Sequence, residues 1–309
     1  MISVIICSRD KKMLDQVSKN VAETIGVPYE LIGIDNSRRD YSIFEAYNLG
    51  IEKSKYSILC FPHEDLIFHT KNWGQNVIDH FKDRDIGLIG TCGGTALPAC
   101  PAPWWNNTVL NVHLTNNINT WKIPKKGGLD YKNPFNENAT NAILADGHLL
   151  CMPKEIFSVC RFDDKNFHGF DCYDSDICLQ ILANGKKVKI VFDILIEHFS
   201  DGYSSDGWAD SVEVLADKWQ SRLPIFSQAV DKSKIPLHHY RELLSYAYYL
   251  QSHKFSDTEI RRRINKYFWR TPFKMIYRDS LLLFLWMNLG YSFSRFIYAA
   301  LKYFFIKTN

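Results

Sequence analysis

The sequence predicts an α/β fold, a doubly wound and mostly parallel sheet followed by a helical C-terminal region. Three observations carry this. Continuous apolar runs alternate with segments of helical period over the first seventy residues. The runs are too uniformly apolar for strands with one wet face, so both faces are covered. Beyond residue 207 strand-like runs stop and only helical periodicity remains.

The first element, "ISVIIC" (2–7), reads as such a buried strand, and residues 10–25 follow as a helix with Met13, Val17 and Val21 at helical spacing. "YELIGID" (29–35) is a second strand. A helix over 42–54 places Ile43, Ala46, Tyr47 and Ile51 on one side, and "YSILCF" (56–61) is the third strand. Residues 73–83 continue as helix and "DIGLIG" (85–90) as strand. Residues 91–141 are rich in Gly, Pro, Asn and Trp with weak periodicity, which reads as a long insertion or flap. Order resumes with a strand and short helix over 143–157, a helix over 174–185 closed by Asn-Gly, and a strand over 187–198 that ends on a histidine. Helices are expected over 208–221 and 238–252. Ser256-x-x-Glu259 has the spacing of a capping box. The chain thus divides into 1–206 and 207–309, with an apolar end over 274–307.

Composition narrows the functional classes. The 309 residues are 46% hydrophobic and 23% charged, which permits a packed core and argues against disorder. The net charge of +3 gives no case for a nucleic-acid partner. From Lys254 onward eleven Lys/Arg stand against three Asp/Glu, so a basic tail follows a mildly acidic body. None of the eight cysteines forms a CxxC pair, and several lie in apolar runs where a reduced thiol behaves as a small hydrophobe. Reduced cysteines and a start directly on a strand lead to the expectation of a cytoplasmic protein.

In open α/β sheets ligands bind beyond the carboxyl ends of the strands. Those ends are Cys7-Ser8-Arg9, Asp35-Asn36 and His63-Glu64-Asp65. With no GxGxxG and no P-loop, the glycine-based ways of holding phosphate are absent. An acid such as Asp35 can accept from a base or ribose, and His63 and Asp65 can hold or position a divalent cation. Taken singly each is as well explained by a capped loop; three successive strand ends with the same chemistry favour function. Asp171, Asp174 and Asp176 gather where a loop enters a helix, where an acid suits the dipole and can also act as general base. His198 follows a strand, and a neutral imidazole there can serve as metal ligand.

These residues resemble the family-2-type glycosyltransferases of the GT-A fold, in the branch with a histidine-containing form of the DxD motif. The resemblance covers roughly residues 1–205. It matches the Cys7-Ser8-Arg9 turn, the nucleotide-contacting Asp35 with Asn36 beside it, and Asn48-Leu49-Gly50. It continues through His63-Glu64-Asp65 as the metal and diphosphate motif, Asp146-Gly147 on the acceptor side, Tyr173-Asp174 with Asp176, and the late His198. Two departures stand out. His63 replaces the first Asp of DxD, and Tyr173 replaces the Glu that precedes the catalytic Asp.

The resemblance implies transfer of a sugar from a nucleotide-diphosphate donor, most naturally a UDP-sugar, with Mn²⁺ or Mg²⁺ held by Asp65, His198 and His63. Ser8, Arg9, Asp35, Asn36, Asn48, His63, Glu64 and Asp65 would hold the nucleotide and diphosphate. Asp174 would be the base of an inverting displacement. Asp146, Gly147 and Asp176 would face a glycan or lipid-linked acceptor, as in bacterial surface polysaccharide synthesis. Trp104 and Trp105, read from their place in the insertion, can stack on an acceptor sugar or equally well plug the insertion onto the body. The apolar tail, too short for a span before Ser292, fits an interfacial helix on the cytoplasmic side of the inner membrane. The competing expectation is a non-catalytic sugar-nucleotide-binding protein that keeps the fold.

Overall fold

The computed structural model describes residues 1–106, 108–119, 128–199, 207–274, 277–294 and 296–297. It divides into two units, Met1–Thr95 with His113–Leu215, and Ala96–Val112 with Ala216–Asn309.

The first unit begins with the expected alternation: β1 Ile2–Ser8, α1 Lys11–Thr24, β2 Tyr29–Asp35, α2 Ile43–Lys53 and β3 Ile58–Pro62. β1 pairs in parallel with β2 and β3. Its apolar run is continuous because both faces are covered. Ile2, Val4 and Ile6 join Val17, Val21, Trp73 and Val77 in one core cluster. Ile5 points the other way, against Gly50 of α2, where a Cβ would collide with it. Asp10 caps α1 by accepting from the backbone of Lys12, and Ser42 with Glu45 forms a reciprocal capping box on α2.

The chain continues with β4 Leu66–Phe68, α3 Trp73–His80, β5 Ile86–Gly90 and β6 Cys92–Gly94. After the second unit's β7 Ala96–Leu97 come β8 His113–Asn119, β9 Gly128–Lys132, β10 Ala139–Ala142, β11 Leu144–Ala145 and β12 Leu149–Pro153. Then follow α4 Tyr173–Ala183, β13 Lys187–Val191 and β14 Ile196–His198. The main sheet runs β10-β13-β5-β12-β3-β1-β2 and a second sheet runs β11-β6-β8-β14-β4, with β9 beside β8.

The main sheet is mostly parallel, as expected, with β12 inserted antiparallel between β3 and β5 and with β10 antiparallel to β13. Two expectations are revised. The 91–141 stretch is not a flap without structure; its described residues supply strands to both sheets and to the second unit. Residues 187–198 form two strands, β13 and β14, in different sheets.

Among the places where the chain crosses from one sheet to the other are 63–65, Thr91, 146–148 and 192–195. The first three crossings lie side by side. The His63 amide donates to the His148 carbonyl at 2.8 Å, and the Thr91 hydroxyl meets the His148 ring at 2.8 Å.

Helix α5, Trp208–Lys218, carries the boundary between units at Leu215/Ala216, somewhat later than the 206/207 division expected. The second unit adds β15 Ile225–Phe226, which pairs with β7, and helices α6 Ile235–Ser252, α7 Asp257–Phe268 and α8 Arg278–Leu289. Only half of the expected capping box forms on α7. Ser256 accepts from Glu259, but the Glu259 carboxylate turns to Arg263 at 3.0 Å. Among the described residues no helix is long and apolar enough to cross a membrane. Arg295 and Lys302, two charges of the expected interfacial stripe, lie outside the described residues.

Candidate active site

The strand ends bring several of the expected residues near one another in the first unit. Ser8 and Asp35 are register partners at the ends of β1 and β2. Asp35 is exposed and accepts from the Ser37 amide at 2.9 Å, a bond that lowers its pKa. Asn36 ties its own loop together, its side chain both donating to and accepting from the Tyr41 backbone. Glu64 reaches across to the β1–α1 turn, where one oxygen accepts from Ser8 Oγ at 2.6 Å and from the amides of Arg9 and Asp10 at 3.0 and 3.1 Å. Glu64 therefore fastens the third strand end to the first. Asn48 is buried and donates to the Phe162 carbonyl at 2.8 Å and to Asp164 at 3.1 Å. Asp176 is also buried and accepts from Gln180.

β4 and β14 are antiparallel with Leu66 opposite His198, which places His198 beside Asp65. His198 Nε2 is 3.4 Å from Asp65 Oδ1, and His63 Nδ1 is 3.9 Å from the same oxygen. One ligand atom from each of the three residues lies within 4.8 Å of the others. Atoms bound to one Mn²⁺ or Mg²⁺ at about 2.1 Å lie about 3–4 Å apart, so the set fits such an ion. His198 Nε2 is buried and makes no hydrogen bond. Burial lowers the His63 pKa to about 4, with the nearby His198 adding to the effect, so its ring is neutral at pH 7 and keeps a lone pair. Asp65 is raised by burial but lowered more by His198 and His63, to about 2, and is ionised.

The crossing at 146–148 brings a second acid pair. Asp146 Oδ1 is 2.6 Å from His148 Nδ1. Burial opposes its charge, but His148 holds Asp146 well below the usual carboxylate range. Asp174, in the first turn of α4, accepts from the Gly147 amide at 3.1 Å and the Ser175 amide at 2.6 Å. Burial, and then the charge of Asp146, push Asp174 up to about 7. Two neighbouring carboxylates with pKa values driven apart are the arrangement expected where one must exchange a proton near neutrality.

Tyr173 lies within an aromatic cluster with Tyr47, Phe162 and Phe170, and its hydroxyl is 2.6 Å from His63 Nε2. A Cβ at Gly147 would collide with that hydroxyl, so the glycine makes room for it. Trp104 and Trp105 belong to the second unit and meet edge to face at 5.8 Å, the first buried and the second exposed.

Sequence reasoning passed over the buried polar group of Thr91, Asn117 and His148. The Thr91 hydroxyl bonds both Asn117 and His148. A lone histidine in "DGHLLCM" looks like a core residue. Phe170, 45% exposed beside the His63 and Arg9 side chains, was passed over as well.

The first unit thus brings together polar strand ends, the His63, Asp65 and His198 group and a carboxylate with a raised pKa. Residues 3–220 match the model of the Glycosyltransferase like family, and the chain belongs to that family-2-like group of glycosyltransferases. A search of curated proteins returns no match. Among solved structures the chain is similar to S. aureus TarS 1-349 in complex with UDP-GlcNAc, with a TM-score of 0.58 and 10% identity, covering 97% of this chain and 91% of that one. It is also similar to GalNAc-T7 with UDP, GalNAc and Mn²⁺, with a TM-score of 0.49 and 14% identity, covering 77% of this chain and 54% of that one. At 10% identity the likeness to TarS speaks for the GT-A fold alone.

Proposed function

We propose that the protein transfers a hexosyl group from a UDP-sugar to a hydroxyl of a glycan or lipid-linked acceptor, inverting the anomeric centre. The observation that carries this is the link between Asp174 and the His63, Asp65 and His198 triad: Asp174 accepts from the Gly147 amide, and the adjacent Tyr173 reaches His63 Nε2 at 2.6 Å. Asp35 and the Ser8-Arg9 turn would hold the nucleotide at the β1 and β2 ends. His63, Asp65 and His198 would hold Mn²⁺ or Mg²⁺, which supplies charge to stabilise a leaving diphosphate. Asp174 takes the proton of the attacking hydroxyl. Its raised pKa makes it a competent base just above neutrality, and the Gly147 and Ser175 amides keep its oxygens aimed. The single in-line displacement, which inverts, is taken from the family resemblance and not from the geometry of the site.

Trp105, exposed in the second unit, offers a ring face for an acceptor sugar, and Trp104 braces it. The second unit also carries exposed Trp269, Phe293 and Phe296 with the exposed Arg262. These fit peripheral contact with an anionic membrane. A lipid-linked or surface-polysaccharide acceptor on the cytoplasmic face follows from that contact.

The test is a thermal-shift screen of UDP, GDP, CDP and dTDP with and without Mn²⁺, followed by donor-hydrolysis assays. A rise in melting temperature with UDP that grows with Mn²⁺ is expected. No shift with any nucleotide, in either condition, refutes the proposal.

A further inference from the structure

A neutral imidazole has one N–H and one lone pair, so a histidine ligates a cation only in the tautomer that turns the lone pair to it. His63 has its two nitrogens in different surroundings. Nε2 is 2.6 Å from Tyr173 Oη. Nδ1 faces Asp65 Oδ1 at 3.9 Å, too far for a hydrogen bond. A proton on Nδ1 would therefore find no acceptor in Asp65, whereas a proton on Nε2 has Tyr173 Oη in ideal range. The Tyr173 ring also packs edge to face against Tyr47, with centroids 5.7 Å apart, which holds the phenol in place.

We propose that Tyr173 is a positioning residue whose hydroxyl accepts from His63 Nε2–H and so turns the Nδ1 lone pair toward Asp65 and His198. This rests on the cation site put forward above and deepens it. Outer partners of this kind fix the orientation and tautomer of metal-bound histidines. The two departures from the family pattern thereby explain each other. His63 stands where an Asp would need no orienting, and Tyr173 stands where a Glu would otherwise sit beside the base. The resulting set has two imidazoles, which suit Zn²⁺, and one carboxylate, which suits Mn²⁺ or Mg²⁺. Gly147 belongs to the same device, since only a residue without a Cβ leaves space for the Tyr173 hydroxyl.

The experiment uses the full chain with UDP present. Free Mn²⁺ is titrated by electron paramagnetic resonance against wild type and Tyr173→Phe. The variant should bind Mn²⁺ about 10–100-fold more weakly, while UDP affinity without metal stays the same in both. Wild-type protein with ¹⁵N-labelled histidine and Zn²⁺ should show His63 as the Nε2–H tautomer in long-range ¹H–¹⁵N spectra. This readout decides the matter even if Tyr173→Phe does not fold. Equal Mn²⁺ affinities, or a proton on Nδ1, overturn the role of Tyr173 and leave the cation site standing. Failure of wild type to bind Mn²⁺ removes the cation site and this inference with it.

Discussion

Replacing Asp174 with Asn separates the chemistry of this carboxylate from its effect on stability. Its pKa rises from 3.8 to about 7, first through burial and then through the charge of Asp146. A raised folded-state pKa means that the native state holds the proton more tightly than the unfolded chain. The associated stability is complete below the unfolded value and is lost as pH rises through 7. With each unit worth about 1.4 kcal/mol, the wild type should lose about 2–3 kcal/mol between pH 5 and pH 8 from this group alone.

Asp174→Asn has no charge to bury and should not show that loss. The amide does misplace one donor, because the Gly147 and Ser175 amides each point at an Asp174 oxygen. That costs about 1–3 kcal/mol, equally at both pH values. Urea unfolding of both proteins at pH 5 and pH 8 therefore gives a clean difference. The variant should gain on wild type by about 2–3 kcal/mol as pH rises, while transfer or donor hydrolysis falls to background at every pH. In the wild type, turnover should climb with pH through about 7 as the base loses its proton. A variant that follows the wild-type stability profile, or keeps its turnover, would refute the reasoning.

Other consequences can be checked one by one. Gly147→Ala forces a methyl into the Tyr173 hydroxyl and should cost about 1–3 kcal/mol in urea unfolding. Asp35→Ala removes an exposed acceptor at the end of β2 and should weaken UDP binding by calorimetry with little change in melting temperature. Asn48→Ala strips the buried Phe162 carbonyl of its donor and should destabilise the fold by about 1–3 kcal/mol, read by the same unfolding curves. Changing Phe293 and Phe296, both exposed, to Ser should reduce flotation with anionic liposomes while donor hydrolysis in solution is unchanged.

The alternation from β1 to β3 is legible from residues alone because each element announces its burial locally. A strand covered on both faces is apolar throughout, and a helix on the sheet shows a stripe. The strand ends followed from that, so Ser8, Asp35, the 63–65 motif and His198 could be nominated before any pairing was known. Antiparallel β12 was not legible, because an apolar run carries no mark of its partner's direction. For the same reason 187–198 looked like one strand; the break at 192–195 depends on which sheet receives each half. The strands within 91–141 are short and polar, and their pairing with distant segments leaves no period in the sequence.

The chemistry of the site divides along the same line. Residue types at strand ends are a local property, and they named Asp174, Asp65 and His198. The raised pKa of Asp174 comes from surrounding protein and from Asp146, 28 residues away along the chain. The reach of Tyr173 to His63 spans 110 residues, and the meeting of Thr91 with His148 spans 57. Local pattern records which face of an element is dry. Desolvation, tautomer and metal fit depend on atoms brought together only when the chain crosses between its two sheets.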